Sequence, residues 1–240
     1  MLIRIRKEYL FAIALALVVL LIIVFSQGDT RQVTSAALSE QPVIIIDPGH
    51  GGVDGGAVGV NGTVEKRINL EIALRLRDVF AQAGYTVIMT RDTDISIHDS
   101  TADTIREMKV SDLRNRLKLT EMYPDSLLIS IHQNTLGDSS VTGAQVFYSP
   151  NNPESQLFAQ SIQDCFNGGI QLSGDRQIKS AGDNLYLFYK AKNVAVLAEC
   201  GFLSNSTEEA MLCDPEHQDD IVYCIYRGTL EYLNKSEDTP

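Results

Sequence analysis

Val43-Ile44-Ile45-Ile46 is an unbroken run of β-branched apolar residues, too short for a stable helix and without a polar face. Such a run is expected as a strand buried on both sides, which requires a sheet covered by helices above and below. It stops at Asp47-Pro48-Gly49-His50-Gly51-Gly52, a loop that no strand could continue. The theme then repeats. Lys66 to Ala83 carries Ile68, Ile72, Leu76, Val79 and Phe80 at helical spacing, with Gly84 as its stop. Tyr85 to Thr90 reads as a second strand, Asp92 to Asp103 as irregular polar chain, and Asp112 to Met122 as a helix. Leu127 to Ile131 is a third buried strand. Ala144 to Tyr148 and Leu185 to Phe188 are predicted as further strands, with a helix from Glu154 to Phe166 between them. Ala195 to Ala198 is an apolar strand, and a final helix is predicted over Pro215 to Leu233. Strand and helix alternate along most of the chain, which predicts an α/β three-layer sandwich around a largely parallel sheet.

The N-terminus follows a different pattern. Arg4, Arg6 and Lys7 precede an uncharged apolar run from Leu10 to Phe25, and polar residues follow from Ser26. A basic start before a greasy stretch marks an export segment whose positive end stays in the cytoplasm. As a helix the run would reach about 24 Å against a ~30 Å hydrocarbon core. An uncleaved membrane anchor is the preferred reading, although Val24-Phe25-Ser26 and Ser35-Ala36-Ala37 would each admit cleavage. The expected organisation is a signal or anchor segment over 1–26, a linker over 27–41, a catalytic domain over 42–234 and a polar tail over 235–240. The catalytic part is thus expected to work outside the membrane. A net charge of −11 excludes a nucleic-acid binder, since phosphate backbones need a basic face. Cys165, Cys200, Cys213 and Cys224 show no Cys-x-x-Cys spacing, so a thiolate zinc cluster is not expected. Three disulfide pairings and four buried free thiols all remain open at this point.

The chemistry is positional. His50 follows the first buried strand, His132 the third and Glu199 a later one. In open α/β sheets the carboxyl ends of the strands line the binding crevice, so these side chains should converge. Glu65, at the start of the first long helix, belongs on the same side. Two imidazoles and two carboxylates at one edge of a sheet suit a zinc hydrolase, since a His-Glu-His set supplies the three protein ligands of a catalytic zinc that keeps an open position for water. A fourth carboxylate or imidazole that does not bind the metal can then move the proton. Taken singly, each member is unremarkable: a strand-end histidine is usually structural and a helix-start glutamate usually a dipole partner. His98, in a polar loop, and His217, in a charged helix start, are read in that way. The glycines around His50 are not a phosphate loop, because no Gly-Lys-Ser/Thr follows them.

Asp47-Pro-Gly-His-Gly-Gly52, Glu65-Lys66, Ser130-Ile-His-x-Asn134 and Glu199-x-Gly-Phe-Leu-Ser-Asn205 together resemble the signature blocks of the type-3 zinc-dependent N-acetylmuramoyl-L-alanine amidases. The resemblance spans residues 43 to 233. It implies a mixed sheet of about six strands with helices on both faces. It also implies one Zn2+ per chain on His50, Glu65 and His132, with Glu199 as general base and acid. The implied reaction is hydrolysis of the amide between N-acetylmuramic acid and L-alanine of peptidoglycan. The single-domain layout and Gly143-Ala-Gln-Val-Phe-Tyr148 are similar to the sporulation branch of the family, which prepares the spore cortex for muramic δ-lactam formation and germination. Asn134, Arg91 and Arg116 match family positions and are candidates for substrate contact; the two arginines are read mainly as partners of carboxylates. Thr135 and Glu121 depart from the family pattern, which commonly has alanine and asparagine there. An accessory protein for activation or localisation is a further expectation. The alternatives are a vegetative autolysin or division amidase, a zinc peptidase cutting within the stem peptide, and a catalytically silent peptidoglycan-binding protein.

Overall fold

The computed structural model describes residues 41–237; the expected export segment and nearly all of the linker lie outside the described residues. Among the described residues no helix is long and apolar enough to cross a membrane. β1 (Ile44–Pro48) is buried along its whole length and lies inside the sheet, between β2 (Val87–Met89) and β3 (Leu127–Asn134). With β4 (Gln145–Tyr148), β5 (Lys179–Ser180) and β6 (Val194–Phe202), the order across the six-stranded sheet is β2-β1-β3-β6-β4-β5. β1, β2, β3 and β6 run parallel, while β4 is antiparallel to β6 and parallel to β5. The sheet is mixed and largely parallel, as expected.

Strand alternation sorts the side chains into two layers. Ile44, Ile46, Ile129 and Val196 face α1 (Glu65–Gln82), α3 (Glu154–Gly169) and α6 (Pro215–Glu237), where they share one core with Ile72, Phe158 and Ile225. Ile45, Leu128, Ala195 and Leu197 face the opposite way, toward Leu117 of α2 (Ile105–Glu121) and Leu187 and Phe188 of α4 (Tyr186–Lys190). The short α5 (Ser206–Leu212) returns from the end of β6 and packs Leu212 beside Gly201. Each fully buried Ile, Leu or Phe contributes about 1.5–3 kcal/mol. By the same alternation Asp47, Ser130, His132 and Glu199 lie on the α2/α4 side of the sheet, which is why chemistry gathers there.

Several boundaries differ from the expectation. Leu185 to Phe188 is not a strand: Tyr189 N–H donates to the Leu185 carbonyl and Ala191 N–H to that of Leu187, closing helical turns. A short apolar run carries no period that separates strand from buried helix, and here Leu187 and Phe188 pack together onto one side of the sheet. The sheet edge is taken by Lys179–Ser180 instead. α2 starts at Ile105, earlier than expected, behind a Thr104/Glu107 capping box. Its first turns are exposed and show no apolar period. β3 and β6 run past their apolar stretches, so His132 and Glu199 are strand residues and do not follow strand ends. α6 runs to Glu237 and takes in the first residues of the expected tail.

Candidate active site

The loop after β1 is held in a conformation that the sequence would not choose unaided. His50 has φ 61°, in the left-handed region, and is the one non-glycine among the described residues to do so. Such a residue costs of order 1–3 kcal/mol and persists where its surroundings over-determine it. Two buried arginines do that here. Arg116 donates to the His50 carbonyl at 2.7 Å and the Pro48 carbonyl at 2.9 Å. Arg91 donates to the carbonyls of Pro48 and Gly49 at 3.0 and 2.9 Å. Arg116 is anchored in turn by Asp47 at 2.5 Å and Asp112 at 2.6 Å. Burial opposes ionisation of Asp47, but Arg116 and the hydroxyls of Ser130 and Thr90 outweigh it and hold the carboxyl at about 2.

Glu65 opens α1. The first-turn N–H groups of that helix are satisfied by loop carbonyls: Glu65 donates to Ala57 and Lys66 to Gly55. The Glu65 side chain is thereby turned into the site. Its Oε1 lies 2.9 Å from His132 Nδ1 and also accepts from Asn69 and the Gln133 N–H. Its Oε2 lies 3.1 Å from His50 Nε2 and accepts from the Ala57 N–H at 2.8 Å. Burial works against the carboxylate, yet these donors keep it well below the usual range. One ligand atom from each of His50, Glu65 and His132 lies within 4.8 Å of the others. A Cβ on Gly49 would collide with the His132 ring, and one on Gly56 would meet His50 Cδ2 at 2.6 Å. Both glycines are therefore needed for close approach of backbone to site. Two imidazole nitrogens and a carboxylate converging beside a cleft are a donor set that suits a borderline-soft divalent ion.

Glu199 stands next to His132. The two are Cα partners across β3 and β6. Glu199 Oε2 is buried and has no hydrogen-bond partner among the described residues. Burial raises its carboxyl to about 7; the nearby Glu65 adds to the shift, while His132 and His50 oppose it. His50, His132 and Glu199 all line a cavity of about 200 Å3, lined also by Leu113, Leu185 and Tyr186.

The remaining expected residues fall less centrally. Arg91 and Arg116 are buried and bonded to the loop, a placement that supports a clamping role, and Arg116 also lines the cavity. The reading of both as carboxylate partners holds for Arg116, whereas the hydrogen bonds of Arg91 go to backbone carbonyls, including those of Thr93 and Lys66. Asn134 turns its Oδ1 to the neighbouring Thr135 N–H at 2.8 Å. His98 bonds Ser96, and neither it nor His217 belongs to the converging group. Glu121 ends α2 away from the site, and the carbonyls there are bonded by Asn193, which donates to those of Thr120 and Tyr123. Sequence reasoning missed Asp54, whose Oδ2 lies 2.8 Å from His50 Nδ1 and whose Oδ1 lies 2.7 Å from Lys109. The trace was there to find: a carboxylate four residues after a candidate ligand, within the same glycine-rich loop.

A three-layer α/β fold with this donor set and an unpartnered buried carboxylate beside it is the framework of a hydrolase. The chain belongs to the N-acetylmuramoyl-L-alanine amidase family, which matches residues 44–231. It is 37% identical over 216 residues to the germination-specific N-acetylmuramoyl-L-alanine amidase of Bacillus subtilis (strain 168), covering 90% of each chain. Among solved structures it is similar to the CwlD amidase from Clostridioides difficile in complex with the GerS lipoprotein, with TM-score 0.77 and 35% identity over 81% of this chain and 99% of that one. It also resembles the catalytic domain of CwlV, an N-acetylmuramoyl-L-alanine amidase from Bacillus (Paenibacillus) polymyxa var. colistinus, with TM-score 0.68 and 31% identity over 80% of this chain and 98% of that one. The protein is thus an amidase acting on peptidoglycan, and its place of action is the cell wall outside the cytoplasm.

Proposed function

We propose that this chain is a zinc-dependent amidase of the spore cortex, which removes the stem peptide from selected muramic acids ahead of deacetylation and muramic δ-lactam formation. The observation that carries the chemistry is the placing of Glu199, whose Oε2 has no hydrogen-bond partner among the described residues, beside the convergent His50, Glu65 and His132. Zn2+ at those three residues would supply a Lewis acid and a water whose pKa is lowered to about 7. Asp54 accepts from His50 Nδ1 and so presents the other nitrogen, Nε2, to the site. Glu199, poised near neutrality by burial, takes the proton of the attacking water and returns it to the departing alanine nitrogen. The apolar wall at Leu113 and Leu185 limits water around the lactyl carbonyl.

The cortex assignment is supported by the germination-specific relative, which matches this chain over 90% of both lengths. The similar amidase solved with a lipoprotein supports an accessory protein for this chain as well. The basic, apolar N-terminus supports a membrane anchor that keeps the enzyme at its wall layer. The test has two parts. The purified protein, loaded with zinc and incubated with peptidoglycan, should release intact stem peptides beginning with free L-alanine, as read by mass spectrometry. Spores of a deletion strain should lack muramic δ-lactam. Cleavage within the stem peptide would replace the amidase chemistry, and cortex of normal δ-lactam content would reassign the enzyme to vegetative wall turnover.

A further inference from the structure

α3 and α6 pack as antiparallel neighbours. Phe158 meets Tyr232 with ring centroids 5.0 Å apart. One turn on, a Cβ on Gly228 would lie 2.6 Å from the Cα of Ile162, so the two helix backbones approach as only a glycine permits. The next contact is Cys165 against Cys224. Cys224 Sγ lies 3.4 Å from the Cys165 carbonyl oxygen, and a Cβ on Gly169 would meet the same sulfur at 3.5 Å. The pairs 158/232, 162/228 and 165/224 step along the helices in opposite directions, so it is helix register that brings the two cysteines together.

Their surroundings differ. Cys224 is buried, and burial together with the adjacent Cys165 side chain pushes its thiol up. Cys165 is partly exposed, in a surface cleft lined also by Gly168, Asp220 and Arg227. The Arg227 guanidinium lies within electrostatic reach of Cys165. The other cysteines have different neighbours: Cys200 donates to the Ala198 carbonyl, and Cys213 lies beside Thr63 and Arg67.

We propose that Cys165 and Cys224 are an oxidative modification site, closing to an interhelical disulfide once the protein is outside the cytoplasm. Disulfides persist in such compartments. The Cys165 thiolate attacks the disulfide of an external thiol–disulfide oxidant, forming a mixed disulfide and releasing one oxidant thiol. Cys224 then attacks the Cys165 sulfur and expels the second. The two cysteines together lose two protons and two electrons, and the oxidant disulfide is reduced to two thiols. The bond ties the C-terminal helix to α3 and constrains the unfolded chain across a long loop.

The test uses the full chain, exported into an oxidising compartment, solubilised and purified without reductant, then alkylated, digested and mapped by mass spectrometry. A parallel sample is first incubated with oxidised glutathione. A peptide pair linked through Cys165 and Cys224 in either sample, released by a phosphine reductant, supports the proposal. A phosphine is used because thiol reductants compete for zinc. Reduction should then lower Tm by roughly 5–15 °C, a shift absent in Cys165→Ser. The peptide map is read on the unsubstituted chain, so it does not depend on how the variant folds. Alkylation of both thiols in both samples would overturn the proposal. So would glutathione held on Cys165 without linkage, or a bond to Cys200 or Cys213.

Discussion

His132 and Glu199 face each other directly across two parallel strands of the sheet. Parallel strands lie about 4.8 Å apart and paired residues project to the same side, so sheet backbone, not a loop, sets the distance between the two side chains. The register changes immediately after His132, which ends the regular pairing at the site itself.

Glu199→Gln keeps the shape of this partner and removes its ability to take a proton. Turnover on peptidoglycan should fall by about 10²–10⁴-fold while bound zinc stays at one per chain. Peptide release and metal analysis on the same preparation would check both halves. Retained turnover would remove Glu199 from the proton path.

The same substitution should stabilise the metal-free protein. The folded chain holds the Glu199 proton up to about 7, whereas the ordinary carboxyl releases it near 4.5, so folded stability declines as pH rises from 4.5 through about 7. Glu199→Gln abolishes that decline. Tm of the chelator-treated variant should exceed that of the chelator-treated parent at pH 8 and match it at pH 4. Equal values at both would show that the buried carboxyl costs nothing.

Asp54 bonds the ring nitrogen of His50 that points away from Glu65. Asp54→Ala leaves that ring free to turn and also releases Lys109. Zinc affinity, measured by competition with a chromogenic chelator, should weaken about 10–100-fold. A variant with unchanged affinity would show that the loop alone orients His50.

Asp47 and Arg116 form the buried pair beneath the His50 loop. Asp47 titrates at about 2 in the folded chain against an ordinary 3.8, so its contribution is full above about pH 4 and is lost as pH falls through about 2. Asp47→Asn should cost about 3 kcal/mol at neutral pH, because Arg116 keeps only Asp112 as a charged partner. Urea unfolding at pH 7 and at pH 2 should show parent and variant converging in acid. A constant difference between them would place the effect in packing instead of charge.

Much of this architecture was legible from residue pattern. Val43–Ile46 and Leu127–Ile131 read as buried strands from their short length and the turn residues that bound them, and Ile44–Ile46 and Leu127–Ile131 lie in the sheet interior. The period of Ile68, Ile72 and Leu76 matched α1 because each has to reach the same core. Leu185 to Phe188 was misread because a short apolar run has no measurable period. The start of α2 was missed because its exposed turns rest on a Thr104/Glu107 cap and not on burial.

What the sequence determined by itself was which segments are buried strands and which chemically capable residues adjoin them, because burial follows from local hydrophobic pattern. What only the tertiary structure decided was distance and partner: Glu65 between two imidazoles, Asp54 behind His50, Arg91 on carbonyls, and Cys165 against Cys224. Those contacts join residues far apart along the chain, or hang on rotamers and a left-handed turn at His50. They depend on how whole layers dock, and no local pattern encodes that.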